Sequence, residues 1–104
     1  MALNNMQKEV DDWISGYVEG YWSPVEVLLR LTEETGELAR EINDRYGPKN
    51  KKHIEDKSSI ESEIGDIIFT LCCLANSQNI NLDDCFQKAM SKCYIRDKDR
   101  FEKK

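Results

Sequence analysis

The sequence predicts an all-α fold: a four-helix antiparallel bundle in a single domain over residues 1–104, assembled as an oligomer. Three observations carry that expectation. Apolar residues recur at three- and four-residue spacing in four segments, no segment alternates with period two, and the connections between segments are short. Charged residues make up 34% of the chain and apolar ones 39%, a balance that suits a globular domain rather than a disordered or membrane-embedded one.

The first helix is expected from about Asn5 to Tyr21, with Val10, Trp13, Ile14, Tyr17, Val18 and Tyr21 on its apolar stripe and Trp13 as packing. "SPVE" opens the second. Ser23 is the expected N-cap, Pro24 suits the first helical position, and Glu26 completes a capping box. Leu28, Leu31, Leu38, Ile42 and Tyr46 follow at helical spacing, and "YGP" ends the helix near Gly47. A polar connector, "KNKKHIEDK", leads to a second capping box from Ser58 to Glu61, so the third helix is expected over Ser59 to Ser77. Asn81 caps a fourth, whose first turn carries Asp83 and Asp84 and which should run to about Phe101.

The third helix reads "IGDIIFTLCCLA" from Ile64 to Ala75, with Asp66 its one charge. Ile60, Ile64, Ile67 and Leu71 line one side while Phe69 and Cys73 point to another. A helix apolar nearly all round must be covered nearly all round, and three other helices of one small chain are too few. A second subunit is therefore expected to supply the rest.

The net charge of −5 argues against general nucleic-acid binding, which needs a cationic surface. No apolar run reaches membrane-spanning length, and the N-terminal "MALNNMQKEV" lacks the layout of a secretory signal. Cys72, Cys73, Cys85 and Cys93 form no CxxC pair and fall in helical patterns, so they read as reduced, mostly buried thiols of a cytoplasmic protein.

The most informative stretch is "LTEETGELAREI". Glu34, Glu37 and Glu41 share one row of the second helix, and Glu33 lies on a neighbouring row within reach of Glu37. Arg30, Arg40 and Arg45 stand at ion-pair spacing to these acids, so a solvated face is one reading. Glu63 and Asp66 offer another. They lie one turn apart on the shoulder of the apolar third helix, where carboxylates must be neutralised, paired or bound to a cation. Acids of two helices facing each other repel, and a divalent ion resolves the conflict. Oxygen ligands without histidine or thiolate select magnesium, with manganese as a substitute. The single histidine, His53, sits in the polar connector and reads as a solvated loop residue.

Lys88, Lys92, Arg96 and Arg100 recur every fourth residue, and Lys49, Lys51 and Lys52 add positive charge in the connector. The row is either an ordinary face paired with Asp84, Asp97 and Asp99 or a grip for a polyphosphate beside the acids.

"EETGE" followed by "EIGD" resembles the EExxE…ExxD signature of the MazG-like all-α nucleoside triphosphate pyrophosphohydrolases. "GYWSPVEVLLRLTEETGELAREINDRYGPK", "EIGDIIFTLCCLAN" and "KCYIRDKDRF" extend the likeness to short single-domain bacterial members, over essentially the whole chain. The resemblance implies a homodimer or homotetramer. It also implies hydrolysis of a nucleoside triphosphate to the monophosphate and pyrophosphate with magnesium, in a nucleotide-pool housecleaning role. Carried onto this chain, it makes Glu34, Glu37, Glu63 and Asp66 the magnesium ligands, with Glu33, Glu34 and Glu37 catalytic. Glu33 matches the first acid of the motif, as holder of a second ion or orienter of the attacking water. Lys92, Arg96 and Arg100 match the basic tail that contacts phosphates, with Lys49 beside them. Members that bind deoxycytidine nucleotides often carry an asparagine where Arg96 stands, so their sugar and base contacts do not transfer. Trp22 and Tyr21 occupy a region that often contacts the base; packing at a helix junction is the alternative for both. Two rival functions are a non-catalytic helical module that binds a nucleotide or partner, and a phosphoribosyl-ATP pyrophosphohydrolase, which the tail and the "YWSP" segment resemble less.

Overall fold

The structure, a computed structural model, describes residues 2–48 and 58–104. Four α-helices follow in order: α1 (Ala2–Ile14), α2 (Pro24–Tyr46), α3 (Ser58–Ser77) and α4 (Leu82–Ser91), the last running into a short π-helical turn, Lys92–Arg96. No strand occurs among the described residues.

The α2 start is as the sequence predicts. Ser23 stays extended, its Oγ accepts the Glu26 N–H at 3.3 Å and its hydroxyl donates to the Glu26 carboxylate at 3.1 Å. At the other end the Gly47 N–H donates to the Asn43 carbonyl at 2.8 Å. A Cβ at Gly47 would collide with both oxygens of Asn43, so only glycine fits the stop. α3 begins within a residue of expectation. The connector with Lys49, Lys51, Lys52 and His53, and the side chain of the Ser58 cap, lie outside the described residues.

Two helices are shorter than their periodicity suggests. α1 ends at Ile14 rather than Tyr21. Gly16 turns the chain with a tighter bond to the Trp13 carbonyl, and Gly20 takes a positive φ of 70°, which leaves Val18 fully exposed. The α-helical form of α4 stops at Ser91, and regular helix is lost altogether after Arg96 rather than near Phe101. Tyr94, Ile95 and Phe101 are exposed, so among the described residues little packing rewards a continued helix. The Asp97 N–H reaches back five residues to the Lys92 carbonyl, and its carboxylate takes both Nε and Nη2 of Arg96 at 3.1 Å.

α2 packs along α3, and α1 packs along the opposite flank of α3. The pairs Glu37–Glu63 and Arg30–Cys73 make α2 and α3 antiparallel; Gln7–Asn76 and Trp13–Phe69 do the same for α1 and α3. α4 docks on the start of α1. There the buried Asp83 accepts the N–H groups of Leu3 and Asn4 at 3.3 and 3.1 Å, so one acid serves the first turn of its own helix and caps another. Asn81 caps α4 as expected, accepting the Asp84 N–H at 3.1 Å.

A polar clamp holds the ends together. Gln7 donates to the Asn76 side chain and the Ile80 carbonyl and accepts the Leu82 N–H, all within 3.0 Å. Asn76 in turn donates to the Tyr21 hydroxyl at 2.9 Å, which donates to Asp11 at 2.6 Å. Burial and the bond to Asp11 push the Tyr21 hydroxyl up to about 12, so it remains a donor at any physiological pH. Tyr21 is thus a fastener between α1, α3 and the segment that leads into Trp22.

The apolar core is thin: Ile14, Val27, Cys72, Cys73 and Ala75 are its buried members. Two of the four cysteines, Cys85 and Cys93, are exposed, against the expectation of mostly buried thiols; all four are free. Ile64, Ile68 and Leu71 on α3, Leu28, Leu29 and Ile42 on α2, and Phe86 on α4 all face outward. The accessible area is 8137 Å², whereas a compact monomer of this mass exposes about 6,000 Å².

Candidate metal and nucleotide site

The α2–α3 pairing decides where the acids go. Glu34 and Glu37 lie three apart on the face of α2 that meets α3, and Glu63 comes from the first turns of α3. One carboxylate oxygen from each of the three falls within 4.8 Å of the others. It is the one such convergence of metal-capable side chains among the described residues.

The electrostatics are those of a crowded anionic cluster, which the charge of Arg40 offsets only in part at Glu37. Glu63 is held above the usual carboxylate range, first by a proton shared with Glu34 and then by burial. Glu37 is held up first by the charge of Glu63 and then by burial. One oxygen each of Glu34 and Glu63 is buried without any hydrogen-bond partner. Lone pairs out of water with no donor are costly, and an oxygen-preferring cation is the group that satisfies them together. The residues present therefore fit a magnesium-type ion.

Two further predicted acids stand at the edge. Asp66 is exposed, and its charge adds to the upward shift of Glu63, which it follows by one turn. Glu33 is exposed and raises Glu37 in the same way. The structure thus brings together Glu34, Glu37 and Glu63, with Asp66 and Glu33 flanking. Glu41 is half-buried one turn further along α2.

An aromatic recess lies between the end of α1, the segment leading into α2 and Phe69 of α3. Trp13, Ile14, Tyr17, Val18, Glu19, Gly20, Trp22 and Phe69 line a cavity of about 290 Å³. Phe69 forms its floor, edge-on to Trp13 at 6.0 Å and to Trp22 at 6.4 Å. The sequence presents Trp13 as packing, yet it is more than half exposed and walls this recess. Phe69 was legible only as an apolar residue on the far side of α3. The Arg30 guanidinium lies 3.9 Å from the centre of the Trp22 ring.

The basic row sits elsewhere. Arg96 is paired with Asp97, and Arg100 approaches the same carboxylate at 4.0 Å. The π turn takes Lys92, Arg96 and Arg100 off a common α-helical row, and among the described residues no contact ties them to the acid trio. Lys49 lies outside the described residues.

An all-α chain that sets an EExxE pair on one helix against an ExxD acid on its antiparallel neighbour belongs to the helical class of nucleotide-cleaving hydrolases. Residues 23–101 match the MazG nucleotide pyrophosphohydrolase domain, and the chain belongs to that family. It is 52% identical over 103 residues to the uncharacterized protein YpjD of Bacillus subtilis (strain 168), covering 99% of this chain and 93% of that protein. The crystal structure of YpjD superposes with a TM-score of 0.80 over 86% of this chain and 92% of that one. The crystal structure of a Bacillus-conserved MazG protein, a nucleotide pyrophosphohydrolase, superposes with a TM-score of 0.78 at 47% identity, over 93% and 94% of the two chains. The fold and the pyrophosphohydrolase class expected from the sequence both hold. No helix of the described residues is long and apolar enough to cross a membrane.

Proposed function

We propose that this chain hydrolyses a nucleoside triphosphate to the monophosphate and pyrophosphate in a magnesium-dependent reaction, in the cytoplasm, as a housecleaning activity on the nucleotide pool. The observation that carries the reading is the convergence of Glu34, Glu37 and Glu63, two of them with a buried, partnerless oxygen. These three, with Asp66 one turn further on, would hold the ion, and manganese would substitute. When bound, the ion supplies the positive charge against which phosphate oxygens and the attacking water are set.

The chain's own groups do the remainder. Glu33 accepts a hydrogen bond from the water that attacks the α-phosphorus, and the bond from that phosphorus to the bridging oxygen breaks as pyrophosphate leaves. Trp22 offers a ring face to the base, in a mainly apolar recess that tolerates more than one base. Lys92, Arg96 and Arg100, with Lys49, bind the outer phosphates. Because among the described residues no contact ties the first three to the trio, the assignment has them delivered by a second copy. A homodimer, or a homotetramer built from it, is also what the excess accessible area and the outward-facing isoleucines and leucines call for.

The test is a panel of ribo-, deoxyribo- and oxidised nucleoside triphosphates with magnesium, scored for monophosphate and pyrophosphate together. Equimolar release of the two supports the reading. Release of inorganic phosphate instead, or nucleotide-dependent stabilisation without any cleavage, would overturn it, and cleavage of phosphoribosyl-ATP alone would change the substrate.

A further inference from the structure

Arg30 lies on the same row of α2 as Glu34, Glu37 and Glu41, one turn before the trio. A cation at that spacing ordinarily folds back on the acid four residues later. Here it does not. Among the described residues Arg30 is in no ion pair and has no hydrogen-bond partner; its guanidinium lies instead over Trp22. It also reaches the α3 face, where its charge favours the Cys73 thiolate although burial pushes that thiol up to about 11. The groove therefore reads, in order, acid trio, free guanidinium, indole face, aromatic recess.

One helical turn separates the Arg30 and Glu34 backbones, about 6 Å along the axis. A nucleotide with its base in the recess and its outer phosphates at the trio must pass its sugar and α-phosphate alongside Arg30. Among the described residues the guanidinium keeps its N–H donors uncommitted and is held by the indole rather than by a carboxylate that phosphate would have to displace. We propose that Arg30 is a substrate-contacting residue whose guanidinium donates to the non-bridging oxygens of the nucleotide's α-phosphate, between the acid trio and Trp22. During hydrolysis negative charge builds on these oxygens as water adds and before pyrophosphate departs, so the contact strengthens toward the transition state. This rests on the triphosphate reading and adds the group that recognises the reacting phosphorus.

The experiment compares wild type with Arg30→Met, which keeps the stem on Trp22, and Arg30→Lys, which keeps the charge. Substrate is whichever deoxynucleoside triphosphate the wild type cleaves fastest. Arg30→Met should lower kcat/KM about a hundredfold, mainly through kcat, with Arg30→Lys recovering part of the loss. Tryptophan fluorescence gives the second readout. The matching monophosphate should bind the Met variant at least about tenfold more weakly, while the nucleoside and free pyrophosphate change by less than a factor of about two. Unchanged turnover, or equal weakening of nucleoside and monophosphate, would overturn the assignment. If the wild type released no pyrophosphate from any triphosphate, the functional reading would fall, and the monophosphate titration alone would decide Arg30: equal affinity in wild type and Arg30→Met rejects it.

Discussion

Glu37→Gln removes one of three mutually repelling carboxylates and changes little in volume. In the metal-free protein Glu37 and Glu63 are both held above the usual carboxylate range, Glu37 first by the charge of Glu63 and then by burial, Glu63 first by its hydrogen bond to Glu34 and then by burial. A raised folded-state pKa means that the folded form binds protons more tightly than the unfolded chain. The associated stability is full below the ordinary carboxylate pKa and is lost as pH rises through the raised values. With chelator the wild type therefore keeps less of that stability at pH 7 than at pH 5, and at pH 7 Glu37→Gln should melt higher than wild type. With magnesium the order inverts. Three oxygens within 4.8 Å form an anionic cradle, and an ion at a hundredfold excess over its Kd raises the melting temperature of a domain this size by on the order of 10 °C. The variant, with one anionic ligand gone, should gain only a small part of that rise and lose turnover by at least about a hundredfold. Thermal melts at pH 5 and pH 7, each with chelator and with magnesium, read all four arms. A chelated Glu37→Gln that melts below wild type at pH 7, or that magnesium stabilises as much as wild type, would refute the trio as a metal cradle.

Asp83→Ala should cost about 1–3 kcal/mol in urea unfolding, because two α1 N–H groups lose a partly buried partner at once. Gly47→Ala should also destabilise, since the added Cβ meets the Asn43 oxygens, and helical content should fall at the α2 end. Leu71→Glu, on the outward face of α3, should shift the sedimentation profile toward monomer without loss of helix, and an unchanged profile would remove that face from the interface. Mixing and co-refolding inactive Glu37→Gln with an inactive Lys92→Met, Arg96→Met double variant should restore about a quarter of wild-type activity. Random pairing makes half the dimers mixed, each with one intact composite site; no recovery would place the basic tail with the acids of its own chain.

How much of this was legible follows from which forces act locally. Both ends of α2 could be read because Ser23, Pro24, Glu26 and Gly47 settle their own backbone within a turn. The same local logic overran α1, where Tyr17, Val18 and Tyr21 keep helical spacing past a glycine turn that the pattern does not feel. In α4 the row Lys88, Lys92, Arg96 and Arg100 is regular in sequence and irregular in space, because Asp97 draws Arg96 and Arg100 aside while Tyr94 and Ile95 stay exposed. Periodicity states which residues would share a face if the helix persisted; packing decides whether it does.

The site divides along the same line. Glu34 and Glu37 could be paired from spacing alone, and Glu63 from the improbability of a carboxylate on an apolar helix, so the trio was within reach of sequence. Arg30 was not. By spacing it is an ordinary helix partner for Glu34, and that reading is wrong only because Trp22, eight residues earlier and outside the helix, offers its ring at 3.9 Å. Trp22 is there because Tyr21 beside it is fastened to Asp11 on α1 and Asn76 on α3. Cutting that fastener with Tyr21→Phe should therefore reach the nucleotide end of the groove before it reaches the trio: monophosphate affinity should fall while stabilisation by magnesium alone stays at the wild-type level. Loss of both together would mean that the clamp supports the whole α2–α3 pairing, and the sequence of groups along the groove would have to be argued again from the helix contact upward.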